Sequence, residues 1–234
     1  MIQLTRSGVL INGSEEDFER LRVQYARQHY LVLPNLVEPE LLDAVTRRVE
    51  AAPFRPFDHD GIALEQRMFD EGTLSIMNFL VNMPAFLRRM EVLLGIRRIG
   101  WFGGRVYRMT AVDGHYDSWH RDVGDRRLAT LSLNLTRQAY CGGGLQMRYA
   151  NSDSVLHEIH NTGFGDALIF RISRKLAHRV MPIEGGVPKV AYAGWFRWGR
   201  GYHESLRNSE MGNPVRAHRS RVRPSVNRNV ALSP

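Results

Sequence analysis

Three side chains in this sequence have the types and spacing to hold a redox metal. His120 and Asp122 lie in Ser118-Trp119-His120-Arg121-Asp122, and His178 lies in Leu176-Ala177-His178-Arg179-Val180. A His-x-Asp pair followed by a distal histidine is the sequence form of the 2-His-1-carboxylate facial triad, which grips Fe(II) and leaves coordination positions open. On a strand, residues two apart point to one side, so His120 and Asp122 are expected to face one metal. Imidazole and carboxylate suit Fe(II), and the lack of a thiolate cluster argues against structural zinc. His-x-Asp alone is a weak pattern, because a surface histidine beside a solvated aspartate reads the same way. A second such pair, His115-Tyr116-Asp117, competes with it. His157 and His160 follow the polar segment 151–154 and read as surface histidines.

The surrounding elements strengthen the first pair. His120 leads into residues 128–135, which alternate as a strand does. Gly142-Gly143-Gly144 reads as a tight turn into a strand at Leu145-Gln146-Met147. Gly163-Phe164-Gly165-Asp166 reads as another turn, followed by a buried strand over 167–172. The stretch from His178 to Ile183, a turn at Glu184-Gly185-Gly186 and a strand over 189–196 complete the series.

This ordering resembles the Fe(II)/2-oxoglutarate dioxygenase superfamily in its prolyl-4-hydroxylase-like branch. The resemblance covers roughly Ile99 to Trp198. It rests on His-x-Asp, Gly-Gly-x-Leu, Gly-Asp-Ala-Leu-Ile-Phe, His-x-Val-x-Pro-Ile and a basic residue before a terminal Gly-Trp-Phe. The motifs are specific as a set and not singly. The resemblance implies a double-stranded β-helix, or jelly-roll, core in a mainly β fold with N-terminal helices. It makes His120, Asp122 and His178 the iron ligands. It also implies that Lys189 binds the far carboxylate of 2-oxoglutarate, one residue beyond the commonest spacing, with Arg197 in reserve and Tyr107 donating to the same carboxylate. Fe(II), 2-oxoglutarate and O2, with ascorbate as reductant, are the implied cofactors. Asp122, where related halogenases lack a carboxylate, points to a hydroxylase or desaturase. Each of these side chains also has a structural reading. Lys189 would serve as an edge-strand lysine, Tyr107 as a core aromatic, and Trp101, Trp119, Trp195 and Trp198 as packing.

The general features agree. A chain of 234 residues can bury one full core. No apolar run approaches the length of a membrane span, and the N-terminus lacks the apolar stretch of a signal peptide. The single cysteine, Cys141, rules out an intrachain disulfide and suits a reducing cytoplasm. Ser14 is expected to cap a helix to about Gln28, Tyr30–Leu33 to form a short strand, and Pro39 to start a second helix. A third helix is expected from about Pro84 to Leu94, with the polar segment 53–72 as a loop or lid. Residues 1–204 read as one domain, with a helical lead-in over 1–97 and a jelly-roll core over 98–200. Residues 205–234 carry six arginines against Glu210, five of the chain's net +8, and are polar enough to be a disordered tail.

The expected substrate is a small molecule such as an amino acid or natural-product intermediate, hydroxylated at an unactivated C–H bond with release of succinate and CO2. A peptidyl substrate is the alternative. No membrane partner is expected. A nucleic-acid substrate ranks lower, because the paired-arginine signature of alkylated-DNA demethylases is missing after His178. From another class, a catalytically silent jelly-roll binding module would not need these four polar residues together.

Overall fold

The computed structural model describes residues 2–199 together with Gly201 and Tyr202. The basic segment 205–234, expected to be disordered, lies outside the described residues. The chain opens with a hairpin, β1 (Ile2–Thr5) and β2 (Gly8–Ile11). Helix α1 (Glu15–Gln28) starts at a reciprocal cap, in which the Ser14 side chain accepts from the Asp17 amide and Asp17 accepts from the Ser14 amide. It stops at His29, whose φ of 66° is left-handed. Strand β3 (Tyr30–Leu33) follows, then α2 (Pro39–Ala51), with proline in its first turn where no amide partner is needed. Strands β4 (Phe54–Asp58) and β5 (Ala63–Met68) form an antiparallel pair. Two helices, α3 (Glu71–Val81) and α4 (Pro84–Leu94), complete the helical layer.

The remaining strands are β6 (Ile99–Met109), β7 (Tyr116–Asp117), β8 (Arg127–Asn134), β9 (Tyr140–Gly142), β10 (Leu145–Tyr149), β11 (Val155–Ile159), β12 (Ala167–Arg171), β13 (Leu176–Val180), β14 (Ile183–Gly186) and β15 (Lys189–Trp198). The major sheet runs β3-β12-β8-β15-β6-β5-β4, with β7 also paired to β5. A three-stranded sheet, β11-β10-β13, and the pair β14-β9 make the smaller layer. The result is a mostly β, antiparallel jelly-roll core faced by helices.

Strand β15 shows how one sequence serves two layers. Side chains alternate along a strand. Tyr192 and Phe196 point into the helix-side core with Phe102 and Val106 of β6, and Phe86 of α4 lies against Phe196. Lys189, Ala193, Trp195 and Arg197 point the other way, into a cavity of about 700 Å³. At Gly194 the two long strands crowd together. A Cβ there would lie 2.1 Å from the carbonyl oxygen of Gly103, so only glycine fits.

Several elements differ from the sequence expectation. The segment 53–72 is not a loop: β4 and β5 extend the major sheet, and β5 pairs with β6. The region read as a helical lead-in also supplies β3 to that sheet. Helix α3 and the hairpin β1-β2 were not expected, and Glu184–Gly186 is strand paired with β9 rather than a turn. Among the described residues no helix is long and apolar enough to cross a membrane.

Candidate metal centre

His120, Asp122 and His178 converge, with one ligand atom from each lying within 4.8 Å of the others. The main chain does the positioning. His120 forms an isolated antiparallel bridge to His178, each amide donating to the other's carbonyl at 3.0 Å. On its other side β13 pairs with β10, where His178 faces Met147. The HxD motif therefore sits at a single bridge on the edge of β13, not on the regular strand expected. The two rings are 4.4 Å apart between centroids, and Nε2 of His178 lies 3.4 Å from Oδ2 of Asp122. Phe170 packs edge-on against His178, which is 6% exposed.

The ligand side chains are held in turn. Nδ1 of His120 is 2.8 Å from the Ser118 carbonyl oxygen and 3.1 Å from Oδ1 of Asp117, leaving Nε2 toward Asp122. Burial alone would lower the His120 pKa, but Asp117 carries it up to about 9. Asp122 accepts from Arg127 Nη1 at 2.9 Å and from Trp195 Nε1 at 2.8 Å. Burial pushes the Asp122 carboxyl up, yet His178, Trp195 and His120 together hold it well below the usual carboxylate range. Two imidazoles and a carboxylate kept ionised, with no sulfur donor among them, form a set that fits Fe(II).

Lys189 and Tyr107 line the same cavity. Lys189 is opposite Met109, and Tyr107 is opposite Ala191, so both face inward on neighbouring strands. The Lys189 ammonium donates to the Gly143 carbonyl, and among the described residues no carboxylate lies within ion-pair distance of it. Burial pulls its pKa down to about 8, with Asp117 opposing. Burial, then Glu65, pushes the Tyr107 phenol well above its usual range. Such an ammonium, beside a neutral phenol, fits a carboxylate ligand. Arg197 lines the cavity at the other end of β15, with Nη1 donating to the Asp125 carbonyl oxygen at 3.0 Å.

The competing pair separates. His115 accepts the Thr110 amide on Nδ1 and is buried in that turn, while Asp117 joins the first pair as a support for His120. His157 packs edge-on against Tyr30, and His160 is exposed. Trp119 lies under Arg148 and Arg179, and exposed Trp198 lies under Arg126. Cys141 is free and exposed.

The sequence reading missed one group outright. Glu65 of β5, 4% exposed, receives Arg105 Nε at 2.6 Å and has His59 Nε2 at 3.0 Å. Burial raises its carboxyl, but His59 and Arg105 hold it down at about 2. Alternating Ala63, Glu65 and Arg67 before the cap at Asp70 was the available signal.

An antiparallel jelly roll with an inward His-Asp-His cluster is a scaffold with the side chains to hold one metal ion. The family model of the 2OG-Fe(II) oxygenase superfamily matches residues 104–197. The matched stretch, 94 of the chain's 234 residues, is similar to that superfamily, which supports an oxidoreductase of the dioxygenase type with Fe(II), 2-oxoglutarate and O2 as cofactors. No curated protein sequence matches the chain. Among solved structures, a Pseudomonas putida prolyl-4-hydroxylase is 20% identical, with a TM-score of 0.55 over 78% of this chain and 99% of that one. A Trichoplax adhaerens prolyl hydroxylase, in complex with a hypoxia-inducible-factor peptide, is 16% identical, with a TM-score of 0.56 over 86% and 99%. The α-ketoglutarate-dependent epimerase SnoN of nogalamycin biosynthesis is 13% identical, with a TM-score of 0.58 over 79% and 84%. These likenesses concern the fold.

Proposed function

We propose that the chain hydroxylates an unactivated C–H bond of a small molecule, such as an amino acid or natural-product intermediate, with Fe(II) held by His120, Asp122 and His178. The convergence of these three side chains within 4.8 Å is the observation that carries the reading. The metal, 2-oxoglutarate and O2, when bound, would supply oxidative decarboxylation to succinate and CO2 coupled to hydroxylation, one oxygen atom going to succinate and the other to the product. The chain's part is positional. Asp117 and Ser118 fix the His120 ring, while Arg127 and Trp195 fix the Asp122 carboxylate. Lys189 offers its ammonium, and Tyr107 its phenol, to the far carboxylate of 2-oxoglutarate. Phe170, Leu168 and Leu145 close the wall and exclude water. We place all of this in one domain over 1–204.

A cavity of about 700 Å³ suits a small substrate. The relatives in fold include both a peptide-bound prolyl hydroxylase and an enzyme bound to nogalamycin RO, so a peptidyl residue is the second reading. Succinate release with Fe(II), ascorbate and 2-oxoglutarate, measured across amino acids, natural-product intermediates and proline-containing peptides, tests it. Stimulation by peptides alone would favour the second reading. A protein that neither retains stoichiometric iron nor forms succinate would be a binding module.

A further inference from the structure

Two arginines of the cavity wall face each other directly. Arg127 of β8 is the cross-strand partner of Arg197 of β15, and both point into the cavity. Like charges in directly opposed positions are unfavourable in a sheet. Each guanidinium is largely buried, and each has its Nε without a hydrogen-bond partner. Their counter-charges are few. Asp122 receives Arg127, but the same carboxylate also faces His178 Nε2 at 3.4 Å and His120 Nε2 at 3.9 Å. Asp125 lies 3.3 Å from Arg127 Nη2 and 3.9 Å from Arg197 Nη1, yet its side chain is 68% exposed, so solvent screens it. Burial, then Arg127, lowers the Arg197 pKa, with Asp125 and Asp122 opposing.

A third cation stands nearby. The Trp195 indole is overlain by Arg127 at 3.8 Å, and Arg105 and Arg197 each lie 5.5 Å from its centroid. Arg105 is neutralised by Glu65. Arg127 and Arg197 are not neutralised to the same degree. The inward face of β15 thus places a cation at each end, Lys189 and Arg197, with Ala191, Ala193 and Trp195 between them. Residues eight apart on a strand are separated by roughly 26 Å of backbone. One 2-oxoglutarate carboxylate cannot engage both.

We propose that Arg127 and Arg197 form a second anion site, distinct from the one at Lys189, which receives an acidic group of the oxidised substrate. Trp195 is its floor, and the metal cluster borders it through Asp122. The substrate class that follows is a carboxylate-bearing small molecule whose reacting carbon lies between its acidic group and the metal. The substrate assignment rests on the metal-centred reading; the anion site itself does not.

The test separates the two. Sulfate serves as the probe anion, titrated against chloride at constant ionic strength, with thermal stability as the readout. Wild-type protein should be stabilised by sulfate. Arg197→Gln should weaken that dependence at least tenfold, Arg197→Lys should retain part of it, and Lys189→Ala should leave the Arg197-dependent part in place. An undiminished response in Arg197→Gln, no sulfate response in the wild type, or loss only in Lys189→Ala, overturns the site. Succinate release is then compared for substrates offered as free carboxylates and as the matched primary amides. Carboxylates should be preferred at least tenfold in KM by the wild type, and Arg197→Gln should abolish the preference. Amides accepted equally by the wild type overturn the substrate assignment. Absence of any Fe(II)-dependent succinate release, with the sulfate response intact, overturns the metal-centred reading and the substrate assignment with it, and keeps the anion site.

Discussion

Asp117 bridges the two histidine-bearing segments: its Oδ2 accepts the Val180 amide of β13 at 2.9 Å, while its Oδ1 lies 3.1 Å from Nδ1 of His120. One carboxylate therefore ties the edge that carries His178 to the ring of His120. Supports of this kind set ring orientation and typically change metal affinity by about 10- to 100-fold when removed. Asp117→Asn should weaken Fe(II) binding by roughly that factor while the fold is kept. Metal titration beside circular dichroism checks this, and unchanged affinity would assign Asp117 a purely structural part.

Replacing His120, Asp122 or His178 singly by alanine should abolish Fe(II)-dependent turnover. His115→Ala should retain it, because His115 is engaged with the Thr110 amide and not with the cluster. Iron content and succinate release report the outcome. Activity surviving in Asp122→Ala would sink the ligand assignment.

Lys189→Ala should raise the KM for 2-oxoglutarate about 10- to 100-fold, the equivalent of one charge-assisted bond worth roughly 1.5–3 kcal/mol. The pH dependence carries a second signature. With its pKa lowered to about 8, Lys189 is charged below that pH and neutral above it. The wild-type KM should be flat at neutral pH and rise roughly tenfold per unit above pH 8. Lys189→Ala should lose this rise. If Arg197→Ala produces the large KM effect and Lys189→Ala almost none, the cosubstrate carboxylate binds elsewhere.

Glu65 links the cavity to acid stability. Its folded carboxyl is lowered from 4.5 to about 2, so its stabilisation is fully present above pH 4.5 and is lost as pH falls toward 2. That shift corresponds to about 3 kcal/mol. Glu65→Gln should destabilise the protein by about that amount at pH 7 and less as pH falls. Denaturant unfolding at pH 7 and pH 3.5 measures the difference, and an equal loss at both would contradict the ion-pair account.

The convergence of His120, Asp122 and His178 was legible because these residue types are chemically demanding at that spacing. The pairing of His120 with His178 was not, since a single bridge leaves no periodicity. Strand β4 was hidden by Pro56, which is compatible with an edge strand but reads as a breaker. Helix α3 was obscured because Leu74, Ile76, Met77, Phe79, Leu80 and Val81 are nearly continuous and show no clear stripe, with Ile76 and Phe79 left exposed. Glu65 and Arg105 lie 40 residues apart, and nothing local announces their pairing.

The two-faced build of β15 has an evolutionary reading. Even-numbered positions such as Tyr192 and Phe196 answer to the helices, and odd-numbered ones such as Trp195 and Arg197 answer to whatever enters the cavity. Selection can therefore rewrite substrate preference by changing alternate codons, while the interleaved codons keep the protein folded.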